Sequence, residues 1–329
     1  MTAAALIEIW RGDLLESLHH GHAVVCGPQG AELVWGEAGA VVFPRSSCKM
    51  VQALPLIESG AAEAAGLGLR HLALSCASHS GAALHVGAVG EWLTGLGMGE
   101  ADLRCGSHLP FDKVEATRLT CSDEKPCQLH NNCSGKHAGF LTLNRHLKGG
   151  AEYVEIDHPV QRAVRAAFEE VTGETSPGWG VDGCSAPNFA CTLEGLARAM
   201  QFFAAARPEG GLRAAAAARL IEAMTAFPEL VAGENRACTK LMRATGGKVA
   251  VKTGAEGVFV AILPEQKRGI ALKITDGASR ASEAAITALL VHLGALAPDH
   301  PVVAQLLPPV SKNWRGLATG GMRLAKGFC

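Results

Sequence analysis

Ser46 and Lys49 stand three residues apart in the run Phe43-Pro44-Arg45-Ser46-Ser47-Cys48-Lys49. On a helix this spacing puts both side chains on one face, one turn apart. An amine held beside a hydroxyl can take its proton once burial or another cation lowers the amine's proton affinity. A helix N-terminus under Ser46 would favour a developing oxyanion, and Pro55 makes that helix short or kinked. Taken alone, Ser-x-x-Lys more often marks a capping serine and a solvated lysine. A second run, Lys252-Thr253-Gly254, falls late in the chain. At the end of an edge strand it would offer an ammonium and open backbone amides to a substrate. Alone, it more often marks a strand end running into a turn. The pair points to a serine nucleophile activated by lysine. Ser78, in Leu72-Ala73-Leu74-Ser75-Cys76-Ala77-Ser78-His79-Ser80-Gly81, is the candidate third corner, set to pair with Lys252 as Ser46 pairs with Lys49. His79, flanked by serines, is either a general base or a hydrogen-bonded structural group.

A second cluster is His130-Asn131-Asn132-Cys133-Ser134-Gly135-Lys136-His137-Ala138-Gly139. Gly135 and Gly139 allow close backbone approach, and Asn131 and Asn132 suit a substrate amide or carboxylate. Cys133 with His130, His137 or Lys136 has a spacing compatible with a metal. A single thiol needs ligands from elsewhere, and Val181-Asp182-Gly183-Cys184-Ser185-Ala186-Pro187 offers Asp182 and Cys184. The alternative is a polar loop wall with buried thiols.

These residues need elements to hold them. Short apolar or alternating runs at Ala5–Trp10, Ala23–Cys26, Glu32–Trp35 and Ala40–Phe43 predict strands. Lys248–Thr253, Gly257–Leu263 and Gly269–Ile274 predict three more, with a hairpin turn at Pro264–Arg268. Between the two sets lie helical segments such as Pro159–Val171, Thr192–Ala205 and the alanine-rich run that stops near Pro228. Ile286, Leu289, Leu290 and Leu293 form a buried stripe on a helix over roughly Ser279–Leu293. The expected fold is α/β (α+β): one antiparallel sheet from both chain ends, with a helical region inserted. Residues 1–329 read as a single domain, with a sheet lobe at about 1–45 plus 245–295 and a helical lobe at about 46–244. The tail Pro308–Cys329 has no assigned place.

Composition narrows the partners. A formal net charge of -1 gives no basic field for a nucleic acid. No run of 18 apolar residues spans a membrane. Glu8 and Asp13 fall where an export signal would be apolar, so a cytoplasmic location and a small-molecule substrate are expected. The 11 cysteines lack a repeated spacing, and most read as small buried hydrophobes with free thiols.

Ser-x-x-Lys followed by Lys-Thr-Gly matches the order in penicillin-binding proteins and serine β-lactamases, although no Ser-Asp-Asn stands between them. RSSCKM, SCASHSG, HNNCSGKHAG, VDGCSAPNFA and VKTGAEGVF together resemble the bacterial L-asparaginase II family of the Rhizobium etli type, from about residue 5 to about 295. The resemblance implies a fold similar to serine β-lactamases and glutaminases, and hydrolysis of L-asparagine to L-aspartate and ammonia. It implies two Ser-Lys tandems, falling on catalytic Ser46 with Lys49 and Ser78 with Lys252. It also implies a metal, usually zinc, with matching ligands Cys133, Lys136 and Cys184. Arg45, His137, Asp182 and Cys238 fall at substrate-binding positions, Asp182 either supporting the metal ligand beside it or facing the substrate ammonium, and Cys238 in the pocket wall. A homodimer is expected by the same analogy. Glutaminase and β-lactamase-like hydrolysis are the alternatives on this fold.

Overall fold

A computed structural model describes residues 2–329. The chain divides into two compact units. The first comprises the run ending at Ser47, Cys191–Ala205 and Lys240–Cys329; the second comprises Cys48–Ala190 and Ala206–Thr239.

The first unit is built on an antiparallel sheet. Its strands are β1 (Ala4–Arg11), β2 (Leu14–Gly27), β3 (Gly30–Trp35), β4 (Ala250–Thr253), β5 (Val258–Leu263), β6 (Arg268–Ile274), β7 (Ser311–Lys312) and β8 (Ala318–Leu324). Their order is β7-β8-β1-β2-β6-β5-β4, with β3 also on β2. The sheet is therefore made from both chain ends, as the sequence predicts. Every residue of β5 is buried, which requires cover on both faces. The helices Leu193–Ala205 and Ser279–His292 pack on this part of the sheet.

Three details differ from the sequence reading. The strand expected at Ala23–Cys26 runs from Leu14 to Gly27, because its polar first half pairs with β1 while its apolar second half pairs with β3 and β6. The strand expected at Ala40–Phe43 shrinks to Val41–Val42 and leaves the main sheet to pair with Cys191–Thr192. The unassigned tail is part of the fold. β8 lies along β1 from Ile7↔Leu324 to Arg11↔Gly320, and Ala325 N–H donates to Leu6 O at 3.0 Å.

The second unit is mainly helical. Leu69–Ser75 packs against both Ser134–Leu147 and Leu212–Ala226. Lys49–Gln52 ends before Leu54–Glu58 begins, with Pro55 in the first turn of the latter, the short helix that a proline there demands. A small hairpin joins Trp179–Val181 to Pro187–Phe189.

The tail's anchor is Phe328, 2% exposed, with its ring 5.3 Å from Trp35. Trp35 Nε1 donates to Gly327 O at 3.0 Å. Phe328→Ala is expected to lower unfolding free energy by about 3 kcal/mol in urea titration, through lost burial and the cavity left behind. Trp314 protrudes from the same tail, and Trp314→Ala should change stability by less than about 0.5 kcal/mol.

Candidate active site

Lys49 opens the helix Lys49–Gln52, all four residues of which are buried. Its own exposure is 1%. Its Nζ donates to the carbonyl of Ala77 and lies 3.1 Å from Cys133 Sγ. Ala77 directly precedes Ser78, which is buried and whose N–H donates to Val231 O at 2.9 Å. The Lys49 amine is thus fastened one peptide away from the second candidate serine.

Asn131 fixes the turn that carries Cys133. Its Nδ2 donates to the carbonyls of Cys105 and Gly106 at 2.9 and 3.0 Å, and its Oδ1 accepts Cys133 N–H at 2.8 Å. This clamp occupies a side chain that the sequence offered for substrate. Asn132 Oδ1 is 3.2 Å from Cys133 Sγ. The helix Ser134–Leu147 follows, buried from Ser134 to Asn144. Gly135 lets it lie against the preceding layer, because a Cβ there would meet Leu74 O at 2.5 Å. Cys184 comes from the opposite direction, in the loop of the Trp179–Phe189 hairpin. Ser185, at φ 68, bends that loop and points Cys184 inward. Lys136 Nζ then sits 2.9 Å from Cys184 Sγ. Asp182, half-buried in the same loop, accepts Gly183 N–H on Oδ1 at 2.7 Å.

The electrostatics divide the pair of thiols. The Cys133 S–H donating to it, and then the Lys136 ammonium, hold Cys184 well below the usual thiol range. Cys133, the donor and fully buried, is pushed up. Burial works against the Lys136 ammonium, but the charge on Cys184 and Cys133 outweighs it and the net shift is upward. His137 Nδ1 lies 2.8 Å from Tyr153 Oη, which already accepts Arg104 N–H at 2.8 Å. Burial pushes His137 down to about 4. Its Nε2 is buried without a hydrogen-bond partner. No group of three or more His, Cys, Asp or Glu side chains that could hold a metal occurs among the described residues. Two sulfurs and the Lys136 nitrogen nonetheless fit zinc by donor type, with the orphaned His137 Nε2 beside them. Lys136 would have to shed a proton to donate.

The other half of the motif set belongs to the first unit. Arg45–Cys48 is a 3-10 turn, so Ser46 is not at the α-helix N-terminus expected for it. Arg45 adopts φ 53, a strained value for a side-chain-bearing residue. Ser46 is half-buried. Ser47 closes the turn, its N–H and hydroxyl both donating to Pro44 O at 3.2 and 2.7 Å. Gly254 packs on this turn: a Cβ there would meet Pro44 O at 2.6 Å and Ser47 Cβ at 3.3 Å. The Lys-Thr-Gly strand end thereby reaches the Ser46 turn, which is why glycine is needed there. Lys252 is 0% exposed on edge strand β4, opposite Val260, and its Nζ donates to Thr253 O at 2.8 Å. Gly254 N–H is not open to substrate, because the β4–β5 hairpin uses it to reach Val258 O at 2.8 Å. Cys238 is buried in the first turn of the helix Ala237–Ala244.

The L-asparaginase II family profile matches residues 7–324. The chain belongs to the L-asparaginase II family. No curated protein matches the sequence. Among solved structures, Mglu in its native form is similar at 14% identity and a TM-score of 0.47, over 83% of this chain and 64% of that one. The chain thus spans less than two thirds of Mglu's length. A β-lactamase from Mycobacterium bovis is similar at 11% identity and a TM-score of 0.36, over 84% of this chain and 95% of that one. No helix among the described residues is long and apolar enough to cross a membrane.

Sequence reasoning missed Tyr153, the group that orients His137. Its signal was available: it is the chain's single tyrosine, set in an otherwise small and polar loop. His79 resolves toward the structural alternative. Its Nδ1 accepts Gly81 N–H at 3.1 Å, so Nε2 carries the proton and donates to Ser134 Oγ at 2.9 Å. Its ring stacks on His85 at 4.7 Å.

Burial, and then the neighbouring His85, hold His79 well below its ordinary value of 6.5, and burial lowers His85 too. The unfolded chain therefore binds protons below pH 6.5 that the folded chain refuses, and stability falls as pH drops through that point. His79→Gln is expected to flatten the dependence of urea midpoint stability on pH by up to about 1.4 kcal/mol per pH unit below about pH 6. An unchanged slope would show that His79 titrates alike in both states.

Proposed function

We propose that the chain hydrolyses the side-chain amide of L-asparagine to L-aspartate and ammonia through an acyl-enzyme. The observation that carries this reading is the burial of both motif lysines, Lys49 to 1% and Lys252 to 0% exposure. Lysine is almost never fully buried without a reason, since stripping water from an ammonium costs several kcal/mol. Both lie in runs that also carry a serine or reach one, and family membership supplies the amide substrate class.

In this reading Ser46 Oγ gives its proton to Lys49 and attacks the amide carbon. The C–N bond breaks, the nitrogen leaves as ammonia after taking a proton, and a β-aspartyl ester remains. Water, oriented by Ser78 and Lys252, cleaves the ester. The Arg45 guanidinium suits the substrate α-carboxylate, and Asp182 suits its ammonium, with His137 and Cys238 at the pocket wall. Zinc on Cys133, Lys136 and Cys184 would supply a fixed positive charge that orients the substrate.

A second assignment rests on one specific feature. Because Lys49 is fastened to the carbonyl before Ser78, Ser78 is the rival first nucleophile. Acid quench during turnover followed by peptide mass spectrometry identifies the acylated serine. Ser46→Ala should lower kcat for ammonia release by about a thousandfold or more; near wild-type turnover, or an acyl group on Ser78, assigns the attack to Ser78 instead. Glutamine, one methylene longer, should be used with kcat/KM lower by roughly 10- to 100-fold. Stripping zinc with a chelator should raise KM more than it lowers kcat; loss of kcat at constant KM would move the metal into the bond-breaking step.

A further inference from the structure

Away from these residues, the second unit assembles another reactive constellation. Cys127 sits before the 3-10 turn Gln128–His130, half-buried, with Sγ 3.3 Å from His130 Nδ1. The same Nδ1 accepts the Cys127 backbone N–H at 3.1 Å. Nδ1 is therefore unprotonated and the imidazole proton is on Nε2, 3.4 Å from Glu115 Oε1. Glu115 is 6% exposed on the helix Lys113–Cys121 and is fixed by Arg118, whose Nη2 donates to Oε1 at 2.8 Å. Arg118 Nη1 is in turn held by Glu124 at 3.0 Å. Hydrogen bonding from Arg118, and then from His130, keeps Glu115 below the usual carboxylate range and so ionised.

The three side chains form a relay. The thiol and the backbone N–H of Cys127 share the lone pair of Nδ1, and a carboxylate fixes the tautomer that keeps Nδ1 unprotonated. Capping of the turn accounts for the backbone N–H bond to Nδ1 and for a side chain at residue 127 that faces the turn. It does not require sulfur at residue 127, a buried carboxylate behind the ring, or an arginine behind the carboxylate. A base oriented by a third group is the arrangement that activates a nucleophile. Cys127 is also partly open to solvent, unlike the buried thiols of Cys48, Cys76 and Cys105.

We propose that Cys127, His130 and Glu115 form a nucleophilic thiol site that exchanges with small disulfides. The Cys127 S–H proton passes to His130 Nδ1, and the imidazolium is stabilised by Glu115. Cys127 sulfur then attacks one sulfur of the disulfide. A new S–S bond forms, the old one breaks, and the departing thiolate takes the proton back from His130. The product is a mixed disulfide on Cys127 and one free small thiol, with no net oxidant consumed beyond the disulfide itself.

The test uses oxidised glutathione on the full-length protein, with timed acid quench and peptide mass spectrometry. It reads adducts rather than ammonia, so it stands or falls separately from the amide-hydrolase reading. Cys121, exposed at the end of the neighbouring helix, is the internal reference. Cys127 is expected to be modified about tenfold or more faster than Cys121, and His130→Gln should remove about that advantage without changing the Cys121 rate. Modification of Cys127 no faster than Cys121, or a rate unchanged by His130→Gln, would overturn the proposal. Should His130→Gln open the core, adducts on Cys48 and Cys76 will show it, and Glu115→Gln then decides. In a folded Glu115→Gln protein the Cys127 rate must fall, and an unchanged rate refutes the relay.

Discussion

A lysine amine cannot leave water without partners that repay the lost hydration, and the second unit buries two of them, Lys49 and Lys136. Their partners are sulfur and carbonyl oxygen. Cys184 takes the charge of Lys136, while Cys133 faces both Lys49 and Cys184. The polar arrangement around them serves this constraint. Asn131 satisfies two carbonyls and one amide so that the Cys133 turn can be buried. A strained serine bends the hairpin loop so that Cys184 enters from outside the helix layer. Gly135 removes the side chain that would hold the helix Ser134–Leu147 away from Leu74. Removing one member of such a set leaves a buried charge alone, which destabilises more than the intact set stabilises.

The first unit solves a different problem, the placing of an amine on a sheet edge. Edge strands expose unpaired backbone groups and are short or covered in soluble folds. β4 is four residues long, and its lysine is fully enclosed. The tight β4–β5 connection ties up Gly254 N–H, so the strand end offers shape and charge rather than a backbone donor. The turn that Gly254 packs on carries its own constraint, with Arg45 held at φ 53.

The fold was legible where apolar residues carry a clear period or length. The late strands and the helix Ser279–His292 fall within a residue or two of their predicted ends. Legibility failed where the partner strand, rather than the segment itself, decides the structure. Leu14-Leu15-Glu16-Ser17-Leu18-His19-His20 has no β pattern of its own and becomes a strand by pairing with β1. Ala318-Thr319-Gly320-Gly321, in the tail without an assigned place, is part of strand β8 for the same reason. The candidate site shows the same division. Spacing alone could put Lys136 and His137 on one helix. It could not say that Cys133 would face Lys49 rather than His130, or that Lys136 would meet Cys184, since those contacts join side chains separated by 84 and 48 residues. Tyr153 was hidden for this reason too: its partners are residues 104 and 137.

The cysteines show why residue type and burial do not by themselves decide chemistry. Burial above all pushes Cys48 and Cys105 up to about 12 and Cys26 to about 11, leaving them inert packing groups. Cys184 is as deeply buried, yet its charge is favoured because a thiol donor and an ammonium are aimed at it. Cys133, its neighbour, goes the other way because it is the donor. A desolvated thiol is thus neutral by default and ionised only where the fold supplies a specific partner. The same rule separates His79 from His130. Both are buried imidazoles with Nδ1 accepting a backbone N–H. His79 gives its Nε2 proton to a serine hydroxyl, which cannot hold an imidazolium. His130 gives its own to an ionised glutamate, which can. What a histidine or cysteine can do in this chain is set by the next atom beyond it.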